Sequence, residues 1–151
     1  MSSAKRSPLT IVMAEDDPDD RLLISEAFKD AGLATRIEFV PDGEAALLFL
    51  RRSGPYAEAV ATVGPTLVML DLNMPRMGGL ETLAEIRADP ALRHVPVIVL
   101  TTSNSPQDIL ASYRAGCNAY LCKPNTFAGL VDVVRHTLDY WLRHVEIPVA
   151  E

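Results

Sequence analysis

The sequence predicts a doubly wound α/β fold, a five-stranded parallel sheet in the order 2-1-3-4-5 with helices on both faces. Three observations predict it. Short runs rich in β-branched residues alternate along the chain with longer segments whose apolar residues recur at helical period, the pattern of parallel strands joined by crossover helices. The first, third and fourth runs are apolar almost throughout, as strands covered on both faces must be, whereas the second alternates and so suits a sheet edge. Acidic, hydroxyl and ammonium side chains stand at the carboxyl ends of the runs, where open parallel sheets hold their ligands.

The strand segments are "LTIVMA" (Leu9 to Ala14), "TRIEFV" (Thr35 to Val40), "PTLVMLD" (Pro65 to Asp71), "PVIVLT" (Pro96 to Thr101) and "AYLCK" (Ala119 to Lys123). Between and after them lie five helical stripes. The first is Leu22, Leu23, Ala27 and Phe28, and the second Ala46, Leu47, Phe49 and Leu50. Leu80, Leu83, Ala84 and Ile86 form the third, Ile109, Leu110 and Tyr113 the fourth, and Leu130, Val131, Val134 and Leu138 the fifth. Gly32, Gly54 and Gly116 fall just past helix ends, where glycine most easily adopts a left-handed cap. The segment Ser53 to Gly64 exceeds a typical connection and reads as a surface excursion.

At 151 residues with 48% hydrophobic content, the chain is the size of one domain with one core. A net charge of -6 argues against nonspecific nucleic-acid binding, which needs Lys and Arg to neutralise phosphates. No stretch approaches the roughly 20 apolar residues of a membrane span, and "MSSAKRSP" runs into a strand instead of a signal-peptide apolar region. No membrane association and a cytoplasmic location are therefore expected. Cys117 and Cys122 are too few for a disulfide framework, and His94, His136 and His144 lack metal spacing.

The strand ends carry the chemistry. After the first come Glu15 and Asp16; the third ends in Asp71, the fourth in Thr101 and Thr102, the fifth in Lys123 followed by Pro124. Burying three acids together without compensation is prohibitive, whereas Mg²⁺ takes oxygen ligands and keeps several waters, so a divalent cation site is expected. The stretch "AEDDPDD" (Ala14 to Asp20) packs five carboxylates into six residues. Asp17 before Pro18 reads as an N-cap, with Asp19 and Asp20 in a first turn that suits the helix dipole. Those three acids are expected to be mainly structural, leaving Glu15 and Asp16 to the site.

The segments "IVMAEDDP", "LVMLDLNMPRMGGLE", "VIVLTTS" and "AYLCKP" resemble, in order and spacing, the four signatures of the CheY-like receiver domain of two-component response regulators. The resemblance covers about residues 9 to 143, with 1 to 8 expected as a disordered N-terminus and 144 to 151 as a C-terminal tail forming a dimer arm. The stretches "EDDPDD", "LTTSNSPQDILASYRAGCNAYLCKP" and "DYWLRHVEIP" are further similar to the single-domain response regulators that partner bacterial phytochromes.

The resemblance implies roles. Asp71 would be the phosphoacceptor for a sensor histidine kinase, with Glu15, Asp16, Asp71 and the backbone carbonyl of Asn73 around Mg²⁺. Lys123 would be the second cation, salt-bridged to Asp71 at rest, and Pro124 a cis proline aiming its ammonium. Thr101 would be the switch hydroxyl that binds a phosphoryl oxygen and lets Tyr120 turn toward the core. Asn73, Thr102 and Ser103 would tune access and phosphoryl lifetime. Pro75 and Gly78 would fix the turn after the phosphoacceptor. Glu15 departs from the commoner aspartate, and Thr102 is bulkier than the alanine often found there.

The last helical stripe continues through Trp141, Leu142 and Val145, longer than one sheet needs. Either the tail folds back on its own domain or it mediates a homodimer through the fourth-helix, fifth-strand and fifth-helix face, with Tyr120, Leu138, Trp141, Leu142, Val145 and Ile147 at the interface. The functional expectation is a stand-alone phosphorylation switch that relays to a histidine phosphotransfer protein or drains the kinase. A doubly wound phosphatase or phosphotransferase using Asp71 on a small substrate is the alternative. A flavodoxin-type nucleotide module is opposed by the missing glycine-rich turn after the first strand.

Overall fold

A computed structural model describes residues 9–32, 36–57 and 65–149. The strands are β1 (Thr10–Ala14), β2 (Arg36–Val40), β3 (Thr66–Leu70), β4 (Val97–Thr101) and β5 (Ala119–Cys122). The helices are α1 (Pro18–Ala31), α2 (Gly43–Leu50), α3 (Gly79–Ala88), α4 (Pro106–Ala115) and α5 (Phe127–Arg143), and a 3-10 turn covers Gly54–Tyr56. All strand pairs are parallel, in the order β2-β1-β3-β4-β5. The expected fold class stands. Thr35, residues 1–8, residues 58–64 of the surface excursion and the last two tail residues lie outside the described residues.

Alternation along the central strands divides the core in two, because successive strand side chains face opposite sides of a sheet. Ile11, Met13, Leu67, Met69, Ile98 and Leu100 meet Ile24 and Phe28 of α1 and Leu130, Val131, Val134 and Leu138 of α5. Val12, Ala14, Val68, Leu70, Val97 and Val99 meet Leu47 and Phe49 of α2 and Leu83 and Ile86 of α3. The half-exposed β2 at the edge bears out its alternating sequence.

Local chemistry sets the helix ends. The Asp17 carboxylate caps α1 by accepting from the Asp19 amide, with Pro18 in the first turn, and Ser105 and Thr126 cap α4 and α5 in the same way. Gly32 and Gly116 end α1 and α4 in the left-handed conformation. Gly54 does not end α2: Arg51 does, Arg52 takes a positive φ, and Gly54 opens the 3-10 turn. Among the described residues no helix is long and apolar enough to cross a membrane.

At the end of α5 one residue departs from the interface expected of it. Leu138, placed at an interface by the sequence reading, is a core residue only 1% exposed, and Trp141, Leu142 and Ile147 pack half-buried on the same cluster. Val145 is half-buried, and its amide donates to the Tyr140 carbonyl. The helical period explains this: residues at 134, 138, 141 and 142 share the face that already covers the sheet. The large apolar side chains left exposed near this face are Leu110, Tyr113, Tyr140 and Val149.

Candidate functional site

The site is built at the carboxyl ends of β1, β3, β4 and β5. Asp71 follows β3 directly, its amide donating to the Ala14 carbonyl at 3.2 Å, so its side chain leaves the sheet beside the end of β1. Asp71 is buried, and both its oxygens are engaged. The Thr101 hydroxyl donates to Oδ1 at 2.9 Å and the Asn73 amide to the same oxygen at 3.3 Å, while the Lys123 ammonium donates to Oδ2 at 3.0 Å. Thr101 ends β4 fully buried, and its carbonyl accepts from the Lys123 amide at 2.7 Å. That bond continues the β4–β5 pairing by one residue and aims Lys123 into the site.

Glu15 extends β1 through a bond from its amide to the Val40 carbonyl, and its side chain is wholly buried. Its Oε1 accepts from Lys123 at 2.5 Å and its Oε2 from the Asp17 amide at 3.2 Å. Burial pushes the Glu15 carboxyl above its ordinary pKa, and the hydrogen bond and charge of Lys123 only partly offset that. For Lys123 the balance reverses: burial alone would lower its pKa, but the hydrogen bonds and charges of Glu15 and Asp71 outweigh burial and raise it. The amine is therefore held as ammonium.

A third carboxylate completes the group. Asp20 Oδ2 lies 3.1 Å from the Lys123 ammonium, and oxygens of Glu15, Asp20 and Asp71 all fall within 4.8 Å of one another. Three acids against one ammonium leave surplus negative charge, and the unused lone pairs of the Glu15 and Asp71 carboxylates are oxygen donors of the kind a hard divalent cation takes. The residues present thus fit such an ion.

Asp16, expected as a metal ligand beside Glu15, is exposed and lies outside this group of three. Successive side chains of an extended chain point to opposite sides, so with Glu15 inward Asp16 faces out. From the sequence, Asp20 is only a dipole-favoured residue in the first turn of α1. The available signal was geometric: helical Cβ atoms tilt toward the N-terminus, which here is the site.

The remaining expected residues surround this centre. Asn73 and Thr102 are exposed. The Ser103 hydroxyl donates to Asp108 Oδ2 at 2.6 Å and its carbonyl accepts from the Tyr120 hydroxyl at 2.9 Å. Tyr120 packs against the core on the α2–α3–α4 side, and burial raises its phenol pKa. Thr101 and Tyr120 are thus bonded to Asp71 and to the β4–α4 loop respectively. One expectation is corrected: no cis peptide occurs among the described residues, so the Lys123–Pro124 bond is trans. Trans is the preferred isomer by about 0.5–1 kcal/mol even before proline, and the bond from the Lys123 amide to Thr101 already directs the ammonium.

Comparison with known proteins agrees with this geometry. Residues 11–135 match the family model described as the response regulator receiver domain. The response regulator Rcp1 of Synechocystis is 37% identical over 150 residues, covering 99% of this chain and 100% of that protein. A solved Mn²⁺-bound form of Rcp1 superposes with a TM-score of 0.82 at 36% identity, covering 94% of this chain and 100% of the other. The phosphorylated cyanobacterial phytochrome response regulator RcpA gives 0.83 at 36% identity, covering 95% and 99%. RPA3017, a response regulator in red light signalling of R. palustris, gives 0.88 at 36% identity, again covering 95% and 99%. The chain belongs to the response regulator receiver domain family.

Proposed function

We propose that this receiver accepts a phosphoryl group on Asp71 from a sensor histidine kinase of the phytochrome type, with Mg²⁺ bound beside it. One observation carries the reading: the two oxygens of a buried aspartate are addressed separately, one by the Thr101 hydroxyl and one by the Lys123 ammonium. In the transfer, the N–P bond of a phosphohistidine breaks with its electron pair returning to the imidazole, and an O–P bond forms at Asp71. The difficulty is electrostatic, because anion approaches anion, and fixed cations and donors lower it. Lys123 is one such cation, held charged, and Thr101 is a donor one bond away. Mg²⁺, when bound, would supply the second cation, held by Glu15 and Asp71 with Asp16 or the Asn73 carbonyl from the adjoining loops.

The likeness to RcpA, a phytochrome response regulator, and to RPA3017, a response regulator in red light signalling, supports a light-sensing kinase as the partner class. After transfer, Thr101 would exchange Asp71 for a phosphoryl oxygen and pull the loop that carries Ser103, to which Tyr120 is bonded. Thr102 and Ser103 on that loop and the exposed Asn73 would set how long the group survives. The output would be a change of partner, passing the group to a histidine phosphotransfer protein or draining the kinase, in the cytoplasm. A homodimer would use the side chains that stay exposed, Leu110, Tyr113 and Tyr140, with Val149 in the tail.

The test is labelling. Wild type incubated with a phosphorylated bacteriophytochrome kinase and Mg²⁺ gains acid-labile phosphate, and Asp71→Asn gains none. Labelling of the variant would move the acceptor elsewhere, and label lost at once as inorganic phosphate would favour a small-molecule phosphatase. Sedimentation at micromolar concentration, with and without residues beyond Tyr140, tests the dimer.

A further inference from the structure

We propose that Asp20 is the lasting partner of the Lys123 ammonium, a positioning residue that keeps the amine in the site while Glu15 and Asp71 change partners. This rests on the phosphoacceptor reading above. An ammonium has three hydrogens, and three carboxylates take them: Glu15 at 2.5 Å, Asp71 at 3.0 Å and Asp20 at 3.1 Å.

The three are not equivalent. Glu15 and Asp71 continue β1 and β3, and their oxygens are the ones a divalent cation and a phosphoryl group would claim. Asp71 would give an oxygen to the new O–P bond, and Glu15 would share its charge with a bound Mg²⁺. Asp20 stands instead on the first turn of α1, partly exposed to solvent, and its only ion pair among the described residues is with Lys123. It belongs to neither strand end, so its pairing with Lys123 does not compete with the new O–P bond.

The need for such a partner follows from the lysine. Its stem is flexible, and its ammonium is a point charge with no built-in direction. Once Asp71 and Glu15 are occupied, the amide bond to Thr101 fixes only the base of that stem. Asp20 fixes the tip, and transfer rates are sensitive to displacements of about 1 Å at the reacting centre.

The experiment combines uptake from acetyl phosphate in saturating Mg²⁺, calorimetric Mg²⁺ titration, and hydrogen exchange at the Lys123 ammonium followed by ¹⁵N NMR. Asp20→Asn is expected to slow uptake about tenfold and to speed ammonium exchange by a similar factor, with Mg²⁺ affinity within about threefold of wild type. Asp20→Glu should restore most of the rate. Asp19→Asn, the same charge change in the same turn but outside the group, should match wild type within about twofold and so removes the general field of α1 from the comparison. In a Lys123→Ala background, Asp20→Asn should add nothing, since a residue acting only through the amine has no effect without it.

Wild-type rate and exchange in Asp20→Asn overturn the proposal. So does an equal loss in the Lys123→Ala background, or a tenfold fall in Mg²⁺ affinity, which would make Asp20 a metal ligand. A wild type that takes up no phosphate refutes the phosphoacceptor reading instead, and ammonium exchange still decides the role of Asp20.

Discussion

Lys123 and Arg87 are both cations drawn out of water at opposite ends of the sheet, and they are satisfied by different chemistry. Lys123 lies past the carboxyl end of β5 among three carboxylates. Arg87, near the end of α3, lies against the amino ends of β4 and β5. It donates to the carbonyls of Gly116 at 2.9 Å, Val95 at 2.8 Å and Arg93 at 3.1 Å, and to the Asn118 side chain at 3.0 Å. The Asn118 side chain in turn accepts from the Val97 amide. Carboxylates raise the pKa of Lys123, whereas burial lowers that of Arg87, the charge of Cys117 only partly opposing it. Carbonyl acceptors tie loops together and offer a second cation nothing in exchange. Carboxylates can trade an ammonium for a metal. One end of the sheet is therefore built to be held and the other to be altered.

Breaking the held end should have the largest effect on stability. Arg87→Met removes the donor to four acceptors on two connections, α3–β4 and α4–β5, and at a net 0.5–1.5 kcal/mol for an ordinary hydrogen bond and more for a charged one, the cost should be about 3 kcal/mol. Urea unfolding should show it, with phosphoryl uptake per folded molecule unchanged. A variant that kept its stability but lost uptake would erase the distinction between the two ends.

The alterable end should respond to cation instead. Magnesium at 100 times its dissociation constant should add roughly 2.7 kcal/mol by mass action, because it relieves repulsion among acids that only one ammonium now neutralises. Melting of EDTA-stripped protein with and without Mg²⁺ measures this. Arg87→Met should keep the whole increment, and Asp71→Asn should lose most of it. An unchanged midpoint for wild type at millimolar magnesium would count against the metal site.

The two ends differ in how far they can be read from sequence. Asp71, Thr101 and Lys123 were legible because a strand end is a fixed address: once the runs are recognised as parallel strands, their last residues must meet at one edge. Asp20 was not, since its position as a helix N-terminal acid has a sufficient local explanation, and its partner is 103 residues away. The Arg87 network is invisible for a different reason: three of its acceptors are backbone carbonyls, which every residue possesses. The stripe from Leu138 to Ile147 was correctly seen as apolar, but periodicity shows that a face is covered and not by what.

Alkaline pH separates the ends by a smaller effect. Burial raises the Cys117 thiol above its ordinary 9.0, with the Arg87 charge and two amide hydrogen bonds, its own and that of Ala119, opposing. The folded state then holds that proton more tightly than the unfolded chain, so Cys117 contributes stability that is complete below pH 9.0 and is lost as pH rises through its raised pKa. Tyr120 and Lys123, raised from 10.0 and 10.5, act with the same sign but begin later. Cys117→Ala should therefore flatten the stability profile between pH 9 and 10 and leave the steeper limb above it. A limb unchanged below pH 10 would assign the early slope to another group.

The smallest expected effect concerns a residue between these extremes. Asp17 sits beside the site, yet its side chain accepts from the Asp19 amide at 2.9 Å as the cap of α1, and only its backbone touches Glu15. Asp17→Asn keeps an acceptor for that amide and removes a charge favourable to the helix dipole, so it should cost at most about 1 kcal/mol. Because the amide that supports Glu15 is backbone, phosphoryl uptake and Mg²⁺ affinity should stay near wild type. Urea unfolding and acetyl phosphate labelling of the same preparation check both halves. If Asp17→Asn lowers uptake as strongly as Asp20→Asn, the first turn of α1 acts through its summed negative charge, and the specific pairing of Asp20 with Lys123 is not what the site uses.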